Sequence, residues 1–546
     1  LRLLLIVIDG MAFHVVEKIR NKLPTINELI SKGFFGKLES VFPSLTPIAL
    51  ASLVTGNTPK VNGVTAPKIF VKDKPLSNEL SAYSSDPLKT DPLWVYLSKN
   101  GYNTLVTSSP QALPDKWNME NSALFDPYKS KMKKCSDGRV ITEGENKVLG
   151  KVWLVERSSN KFYVAIPSPN GDKIIELEKN EWSLPITIRG KCGKEEFSAI
   201  TILHARENDI YISPIAFDNK RWGNKPQLME KIWNEISTVY GMIMDGDHVS
   251  LHKDIITFEE YMETVERTFT FFYNYTKYLL DNVKWDFALT YLPVVDNVQH
   301  LLYGLDDEKA WEHIVQSYLM ADEFIKMHLD YADLVIVASD HGIEKVKKKV
   351  FINKLLEKIN VLSLNEKDEI DWSRTKAYYG GGGQIRINLK GRENRGIVSL
   401  KEFPKLVRYI VRNLENLTDG NEKIFTSIYA NESPASDREG DIKIGGIKDY
   451  YGVSSAVKKD MEVIEDVIPY KMNSGEHGYF RKNDLYGVII AKYKQLELNR
   501  TETIQQAKII DIAPTILKLF NINNIKMEGR PILKLLEPYE SSRRIY

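Results

Sequence analysis

Seven side chains of this 546-residue chain are of the types that bind metal ions or attack phosphorus, and all sit on short motifs. They are Asp9, Thr46, Asp296, His300, Asp340, His341 and His477. The opening apolar run LRLLLIVID stops on Asp9. ALTYLPVVDNVQH delivers Asp296 and His300, LVIVASDHG delivers Asp340 and His341, and the late loop SGEHGY carries His477. Open α/β sheets gather their chemistry at the carboxyl ends of strands. Carboxylates mixed with imidazoles suit zinc, manganese or iron better than calcium or magnesium alone. A hydroxyl beside such ions loses its proton more easily and becomes a nucleophile. Together the seven read as a two-metal phosphoryl-transfer site.

Each motif alone has a plainer reading. Asp9-Gly10 after a strand is often only a turn. Thr46, in FPSLTPIALASLVTG, falls at a helix start, where a hydroxyl can simply cap the helix; the same place favours anions. Asp296 and His300 share a helix face at i,i+4 spacing, a pattern that chance also produces. Asp340-His341-Gly342 after an apolar strand is harder to ascribe to packing. Coincidence is a poor account of all of them in one chain. His14, His204, His248, His252, His313 and His328 lack such context and read as surface or packing residues. The glycine run 380–383 lacks the lysine and helix start of a phosphate-binding loop and reads as a mobile loop beside the site.

The elements that must position these residues alternate strand and helix over 1–127, the rhythm of a parallel sheet with crossover helices. TINELISKG is a helix closed by Gly33, and IALASLVTG a second one ending at Gly56. Over 128–222 the text turns β-rich, with short strands such as KVWLVER, KFYVAIP and DIYISPI, and is read as an insertion. From 223 to 546 helix and strand alternate again. Residues 258–282 have helical periodicity, and AWEHIVQSYLMADEFIKMHL is amphipathic.

A length of 546 residues exceeds one simple core. The formal net charge of +1 gives no electrostatic argument for nucleic acid or an anionic membrane. The basic run Lys345 to Lys349 reads as a solvated face. No stretch approaches the apolar length of a membrane span. The opening run is short, carries Arg2 and leads into Asp-Gly, which reads as a buried strand rather than a signal peptide. Two cysteines, Cys135 and Cys192, make no disulfide framework. The expectation is reduced thiols in a cytoplasmic protein, with a single bridge as the alternative.

The wording and order of VIDG, FPSLTPIALASLVTG, VVDNVQH, SDHG, GEHG and the terminal IIDIAPTILKLF…MEGRPI resemble the alkaline phosphatase superfamily. Within it the resemblance is to type I phosphodiesterase/nucleotide pyrophosphatase proteins and their prokaryotic relatives. It covers about 1–120 and 265–535. It implies an alkaline-phosphatase-like α/β sandwich with a mostly parallel central sheet and an inserted β-rich domain. It also implies two divalent cations, most often zinc, with manganese an alternative. One would be held by Asp9, Thr46, Asp340 and His341, the other by Asp296, His300 and His477. Thr46 would attack phosphorus in line, and water would hydrolyse the phospho-threonine. The implied substrate is a small phosphate ester or nucleotide.

One departure stands out. Three positions after the nucleophile these proteins carry an Asn that holds a phosphate oxygen, and this chain has Ala49. A helix N-terminal N–H, Asn62, Lys68 or Asn297 is expected to take its place. Tyr303, Tyr378 and Tyr379 are the candidate pocket aromatics, with packing as the plainer role. The competing activities are phosphomonoester and phosphonate hydrolysis on the same site, or metal binding without catalysis. A cofactor-independent phosphoglycerate mutase, with its Ser nucleophile, fits Thr46 poorly.

Overall fold

A computed structural model describes residues 1–112, 116, 119–495 and 504–537. Its centre is an eight-stranded sheet. In chain order the strands are β1 (Leu3–Ile8), β2 (Phe34–Glu39), β3 (Thr104–Val106), β4 (Ser122–Leu124), β5 (Phe287–Leu292), β6 (Leu334–Ala338), β7 (Tyr486–Tyr493) and β8 (Gln505–Lys508). Across the sheet they run β8-β2-β7-β6-β1-β5-β3-β4. Strands β6, β1, β5, β3 and β4 are parallel, and β7 runs antiparallel to both its neighbours. Every residue of β1, β5 and β6 is buried. This is why their sequences are continuous apolar runs and not alternating ones: helices cover both faces.

Four helices matter for the site: α1 (Thr46–Thr55), α2 (Phe258–Asn282), α3 (Val294–Leu302) and α4 (Glu308–His328). Helix α1 is buried from Pro47 to Thr55, so its sequence is apolar all round. Helix α2 starts with a capping box: Glu260 N–H donates to Thr257 Oγ1, and Thr257 N–H to Glu260 Oε2 at 2.7 Å. The same Glu260 carboxylate binds His204 Nδ1 of the β-rich segment at 3.0 Å, with Trp182 stacked on that imidazole at 4.3 Å. The capping residue thereby ties α2 to the segment before it.

Among the described residues, three apolar cores organise the chain. The first wraps the central sheet. The β-rich segment, including Lys151–Ser158, Lys161–Ile166 and Ile186–Cys192, encloses its own core around Trp153, Phe162 and Ile210. A further core gathers Phe70 with Val350, Tyr379, Ile385, Phe403 and Ile442. Its sheet and the helix Phe403–Glu415 lie between β6 and β7 in sequence. The sequence reading did not separate it from the main sheet.

Gly33 closes the helix Pro24–Lys32 as its C-cap, in an extended conformation with φ −134° and not a left-handed one. Glycine stands there because a Cβ would lie 2.3 Å from the Ala491 carbonyl oxygen of β7. Glycines 380–383 lie beside the site at the turn between Ala377–Gly381 and Gln384–Ile387, against Pro67 and Pro43. The expectation of reduced thiols is corrected: Cys135 and Cys192 form a disulfide within the β-rich segment. Such bridges persist in oxidising compartments and in the cytosol of hyperthermophiles. No helix among the described residues is long and apolar enough to cross a membrane. Denatured protein kept free of reductant should show no reactive thiol with a chromogenic disulfide reagent and two after reduction. Two thiols before reduction would contradict the bridge.

Candidate active site

The three neighbouring parallel strands β6, β1 and β5 end together, and each hands its next residues to one place. Asp9 follows β1 directly. Ser339, Asp340 and His341 follow β6. Helix α3 follows β5 after Pro293 and turns Asp296 and His300 inward, one turn apart. His477 arrives from the loop after Gly475–Glu476, and Thr46 from the first turn of α1. The structure brings all seven sequence-predicted residues together. Thr46 Oγ1 lies 3.1 Å from His341 Nε2 and 3.4 Å from Asp9 Oδ1. It is the first helical residue, Leu45 is the N-cap, and no side chain caps the helix. The Thr46 hydroxyl is therefore not engaged in capping and faces the cluster.

The histidines share one arrangement. Nδ1 of His341 donates to the Gly342 carbonyl at 2.9 Å, Nδ1 of His300 to that of Gly475 at 2.8 Å, and Nδ1 of His477 to that of Ser44 at 2.5 Å. A carbonyl only accepts, so each Nδ1 carries a proton and each Nε2 is the nitrogen turned toward the site, as in metal-ligating histidines. His300 Nε2 is 3.2 Å from Asp296 Oδ2 and 3.2 Å from His477 Nε2. Two sets of ligand atoms lie within 4.8 Å of one another: Asp9, Asp340 and His341, and Asp296, His341 and His477. His341 stands between them, its ring stacked on that of His477 at 3.4 Å.

The carboxylates need a positive partner. Asp340 is fully buried, and Asp9 and Asp296 nearly so. Burial, together with the Asp296 charge, raises the Asp9 acid; burial and the Asp9 charge raise Asp340 well above its ordinary range. Burial also works against ionised Asp296, but His300, His477 and His341 outweigh it and hold this acid low. Burial pulls the His341 imidazolium down, yet Asp340, Asp9 and Asp296 outweigh it and raise it to about 10. Asp296 Oδ1 and Asp340 Oδ2 are buried and accept no hydrogen bond from any described residue. Buried carboxylate oxygens without hydrogen-bond donors among the described residues, gathered with imidazole Nε2 atoms, fit divalent cations of the zinc or manganese type.

An outer layer fixes these ligands. Tyr291 donates its hydroxyl to Asp9 Oδ2, and the Gly10 N–H donates to Asp340 Oδ1 at 3.1 Å. Gln299 Nε2 holds the Gly10 carbonyl at 2.6 Å, and Tyr318 holds Gln299 at 2.8 Å. Gly10 has φ +67°, and a Cβ there would lie 2.7 Å from Asp296 Oδ1.

Two cavities meet at this cluster, of about 500 and 420 Å³; Thr46, Tyr83, Asp296 and His300 line both. Asn297 lines the larger, its amide engaged with Gly246 N–H at 3.1 Å and Asp245 at 3.3 Å. Lys68, Tyr379 and the glycine turn line the smaller. Two expected substrate contacts are corrected. Asn62 is fully buried and lines neither cavity; its amide bonds Ser52 Oγ, the Asn57 carbonyl and Val64 N–H, closing the loop after α1. Tyr303 lines neither and packs with its hydroxyl on His14 Nε2. Tyr378 binds Lys68 through its hydroxyl and lies outside both linings.

Sequence reasoning missed Tyr83, Ser108, Asp126, Tyr128, Asp245, Tyr261 and Tyr291, all in the larger cavity. Asp126 had a signal, for it follows the apolar run SALF just as Asp9 follows its strand. The tyrosines come from distant segments, and nothing local marks them.

The model of the type I phosphodiesterase/nucleotide pyrophosphatase family matches residues 3–178 and 199–479. The chain belongs to that family. It is a phosphoric ester hydrolase, and the metal-type cluster at its strand ends is where the family's metal-dependent chemistry would sit. The human ectonucleotide pyrophosphatase/phosphodiesterase 5 structure shares the fold, with 13% identity, 98% of this chain and 99% of that chain covered, and a TM-score of 0.50. The murine counterpart, as an inactive variant in complex with AMP, gives 13% identity, coverage of 98% and 99%, and a TM-score of 0.48. No curated protein matches the sequence.

Two outcomes test this electrostatic picture. His341 keeps its proton at pH 7, and a cation must displace it. Zinc binding to chelated protein should release protons, read as a calorimetric enthalpy that changes with the buffer's ionisation enthalpy, and should tighten as pH rises. An enthalpy independent of buffer would contradict it. Gly10→Ala should weaken zinc binding about 10–100-fold in competition with a chromophoric chelator, because Asp296 must move.

Proposed function

We propose that the chain hydrolyses phosphodiesters through a phospho-threonine intermediate on Thr46. In this reading Asp9, Thr46, Asp340 and His341 hold one divalent cation, and Asp296, His300 and His477 hold a second, with zinc first and manganese next by donor type. The observation that carries the reading is the meeting of two cavities at Thr46, Asp296 and His300. Phosphorus placed before Thr46 has room for an ester arm on each side. A monoester needs one arm and free cationic contacts to its dianion. Lys68 is the one Lys or Arg among the described residues of the smaller cavity; it donates to the Tyr378 hydroxyl at 3.2 Å and pairs with Glu79 at 3.9 Å. That favours the diester. A pyrophosphate bond, as in nucleotide pyrophosphates, is the finer alternative that the family keeps open.

Bound cations would neutralise phosphoryl oxygens and make the Thr46 hydroxyl more acidic. Thr46 Oγ1 forms a bond to phosphorus as the opposite ester oxygen leaves and takes up a proton. Water then attacks the phospho-threonine, restoring Oγ1 and releasing the phosphomonoester. Asp9 and His341 fix the direction of Oγ1. Pro47 has no N–H, and those of Ile48 and Ala49 bond the Leu45 carbonyl at 3.0 and 2.9 Å. The N–H of Thr46 itself, at the positive end of α1, is the donor left for a phosphoryl oxygen where the family's Asn is replaced by Ala49.

The experiment is turnover of bis-p-nitrophenyl phosphate against p-nitrophenyl phosphate, after chelation and with zinc or manganese restored. Diester cleavage should depend on metal and fall at least about 10³-fold in kcat for Thr46→Ala. Preference for the monoester, or a Thr46→Ala enzyme that keeps its rate, would overturn the reading.

A further inference from the structure

The larger cavity runs along the carboxyl edge of the sheet as far as β4, where Asp126 comes two residues after the strand. Its walls include Tyr83, Tyr128, Tyr261, Tyr291, Asp126 and Asp245. Tyr128 donates to Asp245 Oδ1 at 2.9 Å, Tyr261 to the Asn297 carbonyl at 2.9 Å, and Tyr291 to Asp9. With these hydroxyls engaged by protein acceptors, the three rings offer the cavity mainly aromatic surface.

The charges are lopsided. Lys129 is the one Lys or Arg among the described lining residues, and its ammonium donates to the Tyr83 carbonyl at 2.6 Å. Asp245 pairs with Lys131 at 3.2 Å. Asp126 is 3% exposed and makes no ion pair with any described residue. Burial raises its acid to about 7, against the pull of Lys129, the Tyr128 backbone N–H and Lys131. A second phosphate here would meet several carboxylates, with Lys129 the one lining ammonium among the described residues to oppose them. A cationic group would meet a buried carboxylate lacking a counter-ion and the negative faces of tyrosine rings.

We propose that this cavity takes a substrate ester arm carrying an ammonium group, with Asp126 as its counter-ion and the tyrosine rings as its walls. The inference rests on the diester reading above and adds the charge of one arm. It separates this chain's preferred substrate from nucleoside polyphosphates, whose additional phosphates the cavity disfavours.

The test compares 2-aminoethyl p-nitrophenyl phosphate with its neutral isostere, n-propyl p-nitrophenyl phosphate, on the metal-loaded full chain. Bis-p-nitrophenyl phosphate serves as the reference. The aminoethyl ester should exceed the propyl ester by about tenfold in kcat/KM, a gain of the size a desolvated cation over aromatic rings and a carboxylate gives. In Asp126→Asn the ratio should fall to about two or less. Each ratio is taken within one variant, so a general loss of activity cancels. A wild-type ratio near one overturns the proposal, as does faster cleavage of the p-nitrophenyl ester of thymidine 5′-phosphate than of the aminoethyl ester. If bis-p-nitrophenyl phosphate is not cleaved, the diester reading fails separately and calorimetry decides the cavity. Ethanolammonium binding to wild type and not to Asp126→Asn supports the cation site; no binding to wild type overturns it.

Discussion

Asp9, Asp296 and Asp340 repel one another in a place where water cannot screen them, and much of the site's construction answers that repulsion. The parallel register of β6, β1 and β5 forces the three carboxylates together. Three imidazoles oppose them, each turned by a backbone carbonyl so that Nε2 faces the acids. The balance is incomplete, since Asp296 Oδ1 and Asp340 Oδ2 keep no donor. Uncompensated buried charge is expensive, and divalent cations offset it more fully than protons do. The cluster is thus better suited to the loaded state than to the metal-free one.

That demand reaches outward. Gly10 must lack a side chain because Asp296 occupies the space, and its carbonyl must be held because its N–H anchors Asp340. Gln299 and Tyr318 complete the chain of contacts from α3 and α4. Helix α1 is apolar on every side because it is buried, and this leaves Thr46, half-buried at its first turn, as the polar group it presents to the cluster. The separate core built on residues between β6 and β7 supplies the glycine turn and Tyr379 of the smaller cavity. The larger cavity borrows instead from the strand ends and from the segment before α2.

Much of the fold could be read from the chain. Continuous apolar runs marked β1, β5 and β6, and the 3.6-residue period marked α2 over Phe258–Asn282. What failed to show was whatever depends on distant partners. Gly33 does close its helix, but why the residue must be glycine shows only when β7 is seen to press on it. The pairing of Cys135 with Cys192 depends on how the β-rich segment folds, and cysteine spacing alone does not decide it. Asn62 and Tyr303 have the right chemistry for a substrate contact and the wrong position.

The sequence by itself picked out the seven residues proposed for the site, because metal ligands and nucleophiles need specific atoms and these sit at strand and helix ends with local signatures. It also determined the family and the class of sheet. Only the tertiary structure decided which atoms of those residues face one another, that Thr46 is not a cap, and that two cavities meet at its hydroxyl. The physical reason is one of range. Backbone periodicity and strand-end chemistry are written within a few residues, whereas a cavity wall of tyrosines beside Asp126 is assembled from segments that meet only when the chain has folded.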